Sequence, residues 1–225
     1  MKPQETAVLI PAYNEEKNIS LLVKQVMDLG YPVIVSDDGS KDKTVEYAKR
    51  LGAEVLTTPV NRGKGAALRR GFDYFLKTSY QGLVMIDADG QHDPRELVLF
   101  REALTRESHA LWIGKRMHEP KGMPFIRRAT NRLMSWIISS IAGQKIPDTQ
   151  CGYRAIRREA LGKISLSTDR YEIESEMILE AARSGLKVGS VPIRCVYANQ
   201  KSEIRPMQDT LRFFKFLLRY SAKKR

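Results

Sequence analysis

Five aspartates in this 225-residue chain are best placed to do chemistry. Four of them come directly after apolar segments, and the fifth precedes a glycine-containing segment. They are two pairs and one single residue: Asp37 with Asp38, Asp87 with Asp89, and Asp148. Burying an unpaired carboxylate costs several kcal/mol, so carboxylates at strand ends do not serve the core. In an open α/β sheet these ends line the ligand crevice, and the pattern therefore indicates a ligand site.

The sequence Asp87-Ala88-Asp89 follows the apolar residues 83–86. Two aspartates separated by one residue can present oxygens to one hard divalent cation, and Mg²⁺ and Mn²⁺ are often shared between carboxylates and substrate phosphates. The pair therefore predicts a Mg²⁺ or Mn²⁺ site. The alternative is a solvated turn with no ligand.

The first predicted strand ends in Pro11-Ala12-Tyr13-Asn14-Glu15, which lacks the glycines of a dinucleotide-binding turn and of a Walker loop. An aromatic ring beside carboxylates suits a base and a ribose. A proline-directed turn with acidic residues at a helix N-terminus is the alternative. Further along, Lys64 and the amides that open the next helix could meet a phosphate or a base, and a solvated turn is an equal alternative there.

Apolar runs and helical periodicities alternate through the first 115 residues. The spacing predicts strands at residues 7–10, 33–36, 54–57, 82–87 and 111–114, and helices at 15–29, 42–51 and 65–78. Another helix should begin at Pro94 with Asp93 as its N-cap. Further on we expect helices at 125–142, 172–184 and 207–220 and short strands at 188–191 and 193–197. This order predicts an α/β fold with one doubly wound, mostly parallel sheet, and a single domain over residues 1–225.

Composition narrows the class of protein. Hydrophobic residues make up 42% of the chain, which argues against disorder, and two cysteines provide no disulfide framework. Neither a signal peptide nor a membrane-spanning apolar run is evident, so we expect a cytoplasmic protein. The net charge of +12 is concentrated in residues 115–145 and 201–225, each carrying +6. Such segments suit nucleic acid, an anionic membrane or phosphates.

The last predicted helix carries both charge and apolar surface. Arg212, Lys215 and Arg219 fall on one stripe, and Leu211, Phe214 and Leu218 fall on a neighbouring stripe. This pattern resembles a helix lying at a membrane surface, and packing on the core is the equal alternative.

Several other residues have simpler explanations: His92 as a turn residue, Trp112 and Trp136 as core or interface residues, Cys151 as a thiol without a histidine partner, and Glu174 and Glu176 as favourable charges at a helix start.

An ordered series of short motifs covers nearly the whole chain and resembles glycosyltransferase family 2, in particular the dolichol-phosphate mannosyltransferase-like branch. The motifs are Ile10-Pro11-Ala12-Tyr13-Asn14-Glu15, Asp37-Asp38-Gly39-Ser40-Lys41-Asp42, Asn61-Arg62-Gly63-Lys64-Gly65, Asp87-Ala88-Asp89-Gly90-Gln91-His92, Gly114-Lys115-Arg116, Asp148-Thr149-Gln150-Cys151-Gly152-Tyr153-Arg154 and Lys201-Ser202. The resemblance implies a type A glycosyltransferase fold. It also implies a donor-binding half up to about residue 115 and an acceptor-binding half after it.

The resemblance also implies roles for the matching positions. A nucleoside diphosphate sugar would contact Pro11, Ala12, Tyr13, Glu15, Asp37, Asp38, Lys64, Asp87, Ala88, Asp89, Arg116 and Lys201. The metal would be held by Asp87, Asp89 and Gln91. A lipid-phosphate acceptor would contact Arg128, Asn131, Gln150 and Arg154. Chemistry would fall to Asp89, Arg128 and Asp148, where Asp148 is the one candidate base or else an orienting residue.

We therefore expect a metal-dependent, inverting glycosyltransferase that works at an anionic membrane surface on a polyprenyl phosphate and does not bind nucleic acid. We expect no C-terminal transmembrane helices of the kind that many members of the family carry. The chain departs from the family pattern at Glu203, where a lysine is common, so Lys201 or Arg205 would have to supply that charge. Three alternatives stay open: transfer to a saccharide hydroxyl, a sugar nucleotidyltransferase, and a basic nucleic-acid-binding module.

Overall fold

Seven strands form one sheet in the order β3-β2-β1-β4-β6-β5-β7. The computed structural model describes residues 1–106, 108–116, 125–194 and 206–222. The strands are β1 Thr6–Ala12, β2 Val33–Asp37, β3 Glu54–Leu56, β4 Gly82–Met85, β5 Leu111–Arg116, β6 Arg154–Arg157 and β7 Val188–Ile193. The helices are α1 Ile19–Asp28, α2 Thr44–Arg50, α3 Lys64–Phe75, α4 Leu97–Leu104, α5 Phe125–Ala142, α6 Arg158–Leu161, α7 Ile173–Arg183 and α8 Pro206–Ala222.

The centre of the sheet is buried on both faces. In β1, consecutive residues from Ala7 to Ile10 have no exposed surface, although successive side chains of a strand point to opposite faces. Such strands require helices on both sides, which explains why their sequences are continuous apolar runs and not alternating patterns. The predicted α/β fold with a mostly parallel sheet is confirmed.

One strand breaks the parallel arrangement. β6 lies between β4 and β5 and is antiparallel to both, with Arg154 opposite Met85 of β4 and Ile113 of β5. Because β6 runs in the reverse direction, the loop before it lies at the edge of the sheet where β4 and β5 end. Residues 148–153 are thereby brought next to the segment that follows β4.

Several predicted elements differ from the structure in their extent. α1 begins at Ile19, four residues after the predicted start. The strand predicted at 188–191 extends to Ile193 as β7, and residues 195–197 of the second predicted strand lie outside the described residues. Asp93 accepts a hydrogen bond from the Arg95 amide, which confirms it as a cap. β6 and α6 were not predicted, because β6 is four residues long with an arginine at each end.

Candidate functional site

Lys64 links two carboxylates at the edge of the sheet where β4 ends. Its Nζ lies 2.6 Å from Oδ1 of Asp87, which follows β4, and 2.6 Å from Oε1 of Glu174 on α7. All three side chains are largely buried, with 17%, 24% and 11% of their surfaces exposed. Lys64 is the first residue of α3, so three separate elements contribute to one ion-paired cluster.

Burial and ion pairing oppose each other in this cluster. Burial alone would lower the pKa of Lys64, but the charges of Asp87 and Glu174 outweigh it, and the lysine pKa is raised. Burial likewise would raise the pKa of Asp87, yet the Lys64 ammonium holds the pKa of that carboxyl below its usual value. Both groups are therefore charged at neutral pH, as expected for a buried pair with good geometry.

Arg154 holds the loop that precedes β6. Its guanidinium donates to the carbonyls of Cys151 at 2.8 Å, Thr149 at 2.8 Å and Glu174, and the residue is 1% exposed. The expectation that Arg154 contacts an acceptor is therefore corrected, because its donors point at backbone carbonyls inside the protein. Its position lets it support the site by fixing the loop to the start of α7.

Arg116, the last residue of β5, forms a paired contact with Asp148 on this loop. Nε of Arg116 donates to Oδ2 of Asp148 at 2.6 Å, and a terminal nitrogen donates to Oδ1 at 2.7 Å. The Asp148 carboxylate also accepts from the Gln150 amide at 3.3 Å. These contacts orient both side chains with little solvent exposure, 10% for Arg116 and 14% for Asp148.

Gly152 lies directly against the Asp87 carboxylate. A Cβ added at Gly152 would overlap Oδ2 of Asp87 and lie 2.9 Å from its Cγ. Real side chains almost never approach this closely, so only glycine allows the loop to pack here. The loop and the segment after β4 thus form one packed unit, although 65 residues separate them in the sequence.

His92 lies among these charged groups. Burial lowers its pKa to about 4, and the nearby charges of Asp87, Arg116, Lys64 and Asp148 also influence it. The neutral ring packs 5.2 Å from the ring of Tyr153. The prediction of a simple turn residue was incomplete, since His92 is buried and its ring packs against Tyr153.

The aspartates that follow β2 organise backbone. Oδ2 of Asp37 accepts from the amides of Gly39 and Ser40, while both oxygens of Asp38 accept from the Arg62 amide and Oδ2 also accepts from Gly63. Oδ1 of Asp37 is buried without a hydrogen-bond partner in the described structure. Asp38 thus shapes the turn before α3, and Asp37 retains one acceptor oxygen.

The turn after β1 is tied to the turn after β2. Asn14 has a φ of 54°, its amide donates to Oγ of Ser40, and its Oδ1 accepts from the Lys41 amide. The Glu15 amide donates to Oγ1 of Thr44 at 2.8 Å. These reciprocal bonds hold the half-buried Tyr13 at the same edge. Among the other predicted donor-binding residues, Pro11 is half-buried and both Ala12 and Ala88 are buried.

The start of α3 packs against the segment that precedes α7. A Cβ on Gly65 would lie 2.6 Å from the Thr168 carbonyl oxygen, and the Ala66 amide donates to the Asp169 carbonyl at 3.0 Å. That amide is therefore already used inside the protein, which corrects the idea that the helix start as a whole faces a phosphate. Lys64 reaches the site through its side chain.

Asp89 and Gln91 lie just beyond Asp87 and complete the predicted metal ligands. Both are half-buried, and Oδ1 of Asp89 accepts from the Gln91 amide at 3.0 Å. Within the described ranges, no group of three or more His, Cys, Asp or Glu side chains is placed to hold a metal ion alone. The carboxylate oxygens suit a hard cation, so further ligands would have to come from an amide, a substrate or water.

Two glutamates of α7 have roles that differ from the prediction. Glu174 pairs with Lys64, and Glu176 accepts hydrogen bonds from four donor groups, the backbone amides and hydroxyls of Ser167 and Thr168. They do more than complement the helix dipole, because tertiary partners approach them from other segments. The structure supplies the reason: the first nine residues of this helix are all buried, so its glutamates need partners.

The two basic segments are only partly described. Arg128 and Asn131 are half-buried on α5, where Leu133 and Trp136 are exposed, so Trp136 is not a core residue. Of the described helices, none is both long and apolar enough to cross a bilayer. The predictions for Lys201, Glu203 and Arg205 lie outside the described residues.

α8 divides its apolar residues between two faces. Phe213 and Leu217 are buried in the core, whereas Phe214 is 46% exposed and Leu218 is 73% exposed. Lys215 and Arg219 are also exposed. Packing on the core is therefore confirmed for one face of α8, and a second face presents apolar and basic side chains to the surroundings.

Known proteins resemble this chain in both sequence and fold. The model of the family "Glycosyl transferase family 2" matches residues 7–165. A UDP-N-acetylglucosamine–dolichyl-phosphate N-acetylglucosaminyltransferase from Methanococcus voltae is 32% identical over 84% of this chain and 85% of its own length. A polyprenol monophosphomannose synthase from Mycolicibacterium smegmatis is 35% identical over 84% of this chain and 77% of its own.

A solved structure extends the likeness to three dimensions. Glucosyl-3-phosphoglycerate synthase from Mycobacterium tuberculosis, in complex with Mn²⁺ and UDP-glucose, is 25% identical and has a TM-score of 0.70. The match covers 87% of this chain and 72% of that one. The sheet and helices described above therefore have the type A architecture found in that enzyme.

Proposed function

The chain belongs to glycosyltransferase family 2, and we propose that it transfers a hexose, with inversion, from a nucleoside diphosphate sugar to the phosphate of a polyprenyl-type lipid. One observation carries the proposal: two largely buried ion pairs, Lys64 with Asp87 and Arg116 with Asp148, lie at the edge of the sheet where β4 and β5 end. Transfer of a sugar from one phosphate to another needs both positive side chains and carboxylates. The positive side chains bind the donor diphosphate and the acceptor phosphate, and the carboxylates hold a cation.

The family relationship decides between two of the enzyme classes considered above. A glycosyltransferase is supported over a sugar nucleotidyltransferase, and the two relatives described here are both named for dolichyl or polyprenol substrates. Those relatives differ in the sugar that their names give. We accordingly propose the class of acceptor and leave the sugar and the nucleotide of the donor to experiment.

We propose that Asp87, Asp89 and Gln91 hold a Mg²⁺ or Mn²⁺ ion together with the donor diphosphate. Bound there, the metal would stabilise the charge of the leaving diphosphate as a Lewis acid. Two observations support the assignment: Asp87 and Asp89, two residues apart after β4, both provide hard oxygen donors, and the structurally similar synthase was crystallised with Mn²⁺ and UDP-glucose.

Residues of the two aspartate turns would hold the nucleoside. Among the described residues, one buried oxygen of Asp37 has no hydrogen-bond partner, and it is suited to a hydroxyl or ring N–H donor of the ligand. Asp38 fixes the turn at Arg62 and Gly63 and would act on the donor by shaping that turn. Tyr13 lies at the same edge and would pack against the base.

In the transfer step, an oxygen of the acceptor phosphate would form a bond to the sugar C1, while the bond from C1 to the diphosphate breaks and the electron pair leaves with the nucleotide. The transition state should have oxocarbenium character, as in other glycosyl transfers. A phosphate is largely anionic at neutral pH, so it requires positive side chains more than a base. We assign that task to Arg116 and Arg128, with Asp148 orienting Arg116 through two hydrogen bonds.

A comparison of acceptors tests the proposal. A short-chain polyprenyl phosphate, the matching polyprenol and a free oligosaccharide should be offered with each common nucleotide sugar and Mg²⁺ or Mn²⁺. We expect transfer to the phosphate only, measurable transfer by Asp148→Asn, and a larger loss of acceptor use than of donor binding in Arg128→Ala. Efficient transfer to an alcohol or sugar hydroxyl, without transfer to the phosphate, would show that the acceptor class is wrong and would make Asp148 the leading candidate for the base.

A membrane surface is the proposed location of this reaction. Leu218 and Phe214 on α8 are exposed beside Lys215 and Arg219, and Trp136 is exposed on α5. Apolar side chains next to basic ones favour binding to anionic lipid, to which each basic residue near the surface adds about 1 kcal/mol. We propose peripheral attachment through these residues.

A further inference from the structure

We propose that Glu174 is a positioning residue that sets the affinity of the Asp87 and Asp89 site for its divalent cation, by holding the Lys64 ammonium as a second partner. The inference rests on the metal site of the proposed function. None of the roles predicted from the sequence used Glu174 in this way, and its contact with Lys64 joins residues 110 positions apart.

The ammonium is shared equally between two carboxylates. Each N–O distance is 2.6 Å, so Lys64 contacts Asp87 as closely as it contacts Glu174. With 17% of the side chain exposed, water can replace neither partner fully. Lys64 therefore competes directly with a cation for an oxygen of Asp87, and it needs another anionic partner whenever that oxygen is given up.

Arg154 fixes the position of Glu174. Its backbone carbonyl accepts a hydrogen bond from Arg154, and its Oε2 lies 3.8 Å from the same guanidinium. Arg154 is fully buried and also binds two carbonyls of the loop 148–153. The Glu174 carboxylate thus keeps its place on α7 and can retain Lys64 while Asp87 turns toward a metal.

Charge arithmetic gives the direction of the effect. A divalent cation bound by Asp87 and Asp89 would be repelled by Lys64 at close range, and Glu174 reduces this repulsion by keeping the ammonium on its own side. In Glu174→Gln the amide keeps the shape and one acceptor oxygen but loses the charge. Lys64 then depends on Asp87 alone, and the affinity for the cation should fall by about tenfold or more.

Lys64→Met should act in the opposite direction. Without the ammonium, Asp87 loses its ion-pair partner and Glu174 is left with the Arg154 guanidinium, 3.8 Å from its Oε2, so the chelator-treated variant should melt at a lower temperature than wild type. Mn²⁺ should restore its stability by mass action and should bind more tightly than to wild type. A residue that merely supports the fold would not produce opposite shifts in metal affinity from two partners of one ion pair.

The measurement is titration of the full chain, freed of metal by chelation, with Mn²⁺ alone, followed by electron paramagnetic resonance and calorimetry. Glu180→Gln is the matched control, because Glu180 lies on the same helix but pairs with Arg183. Circular dichroism and thermal melts establish that each variant is folded.

Weaker Mn²⁺ binding in Glu174→Gln, tighter binding in Lys64→Met and an unchanged affinity in Glu180→Gln would support the inference. If Mn²⁺ binds wild type and folded Glu174→Gln within twofold of each other, the inference is overturned and the metal site stands. If Mn²⁺ binds neither wild type nor Lys64→Met, the metal site of the proposed function falls, and this inference falls with it.

Discussion

Substitution of Gly152 by alanine adds one methyl group at the point where the loop before β6 meets the Asp87 carboxylate. The new Cβ would lie 2.9 Å from Cγ of Asp87 and 3.1 Å from Oδ1, and it would overlap Oδ2. Ordinary contact begins at 3.4 Å, so the carboxyl carbon must recede by at least 0.5 Å and Oδ2 by more. Asp87 has little freedom to do so, because its Oδ1 is bound to Lys64.

Two magnitudes follow from this displacement. Overpacking of a buried position costs about 1–3 kcal/mol, and for a chain of this size each 1 kcal/mol lowers the melting temperature by roughly 2–4 °C. Displacement of a metal-binding carboxylate by about 1 Å should reduce transfer by roughly 100-fold. We therefore expect Gly152→Ala to lose far more activity than stability.

The assay measures hexose transfer and the thermal midpoint on the same preparations, with Gly162→Ala as the control. Gly162 has a φ of −67°, and a Cβ there would meet its nearest atom at 3.7 Å, which is ordinary contact. The control should keep full activity and equal or slightly higher stability. If Gly152→Ala keeps more than half of the wild-type rate, the close packing of the loop on Asp87 does not position that carboxylate and the argument fails.

Three further results are expected. Asp89→Asn and Asp87→Asn should each remove most transfer activity, as should excess chelator, and activity that survives all three treatments would contradict the metal assignment. Burial raises the pKa of Cys151 to about 12, so at pH 8 only about one thiol in ten thousand is ionised. In a Cys195→Ser background, a thiol reagent should therefore label Cys151 in the unfolded chain but not in the native chain. Rapid labelling of the native chain would show that Cys151 is not buried. Leu218→Asp should weaken co-sedimentation with anionic vesicles at low salt while leaving the melting temperature near that of wild type, whereas unchanged binding would exclude this face of α8 from the membrane contact.

Sequence patterns were sufficient for much of the architecture because those signals are local. Apolar runs predicted β1, β2, β4 and β5 within a few residues, and the periodicity of residues 125–142 predicted α5 at its observed bounds. The order of these elements predicted a mostly parallel sheet. The metal-site prediction at Asp87 and Asp89 also depended on a local feature, namely two carboxylates directly after a buried strand.

Other features depend on contacts between distant segments and were decided only by the tertiary structure. β6 carries no strong strand signal, yet its antiparallel insertion brings Gly152 onto Asp87 and Asp148 to Arg116. The pairing of Lys64 with Glu174 arises in the same way, since α3 and α7 meet only in the folded chain. A sequence shows which residues carry charge and which segments are apolar. The choice of partner for a buried charge follows from the packing of elements far apart in the chain, because only there does the cost of leaving that charge unpaired arise.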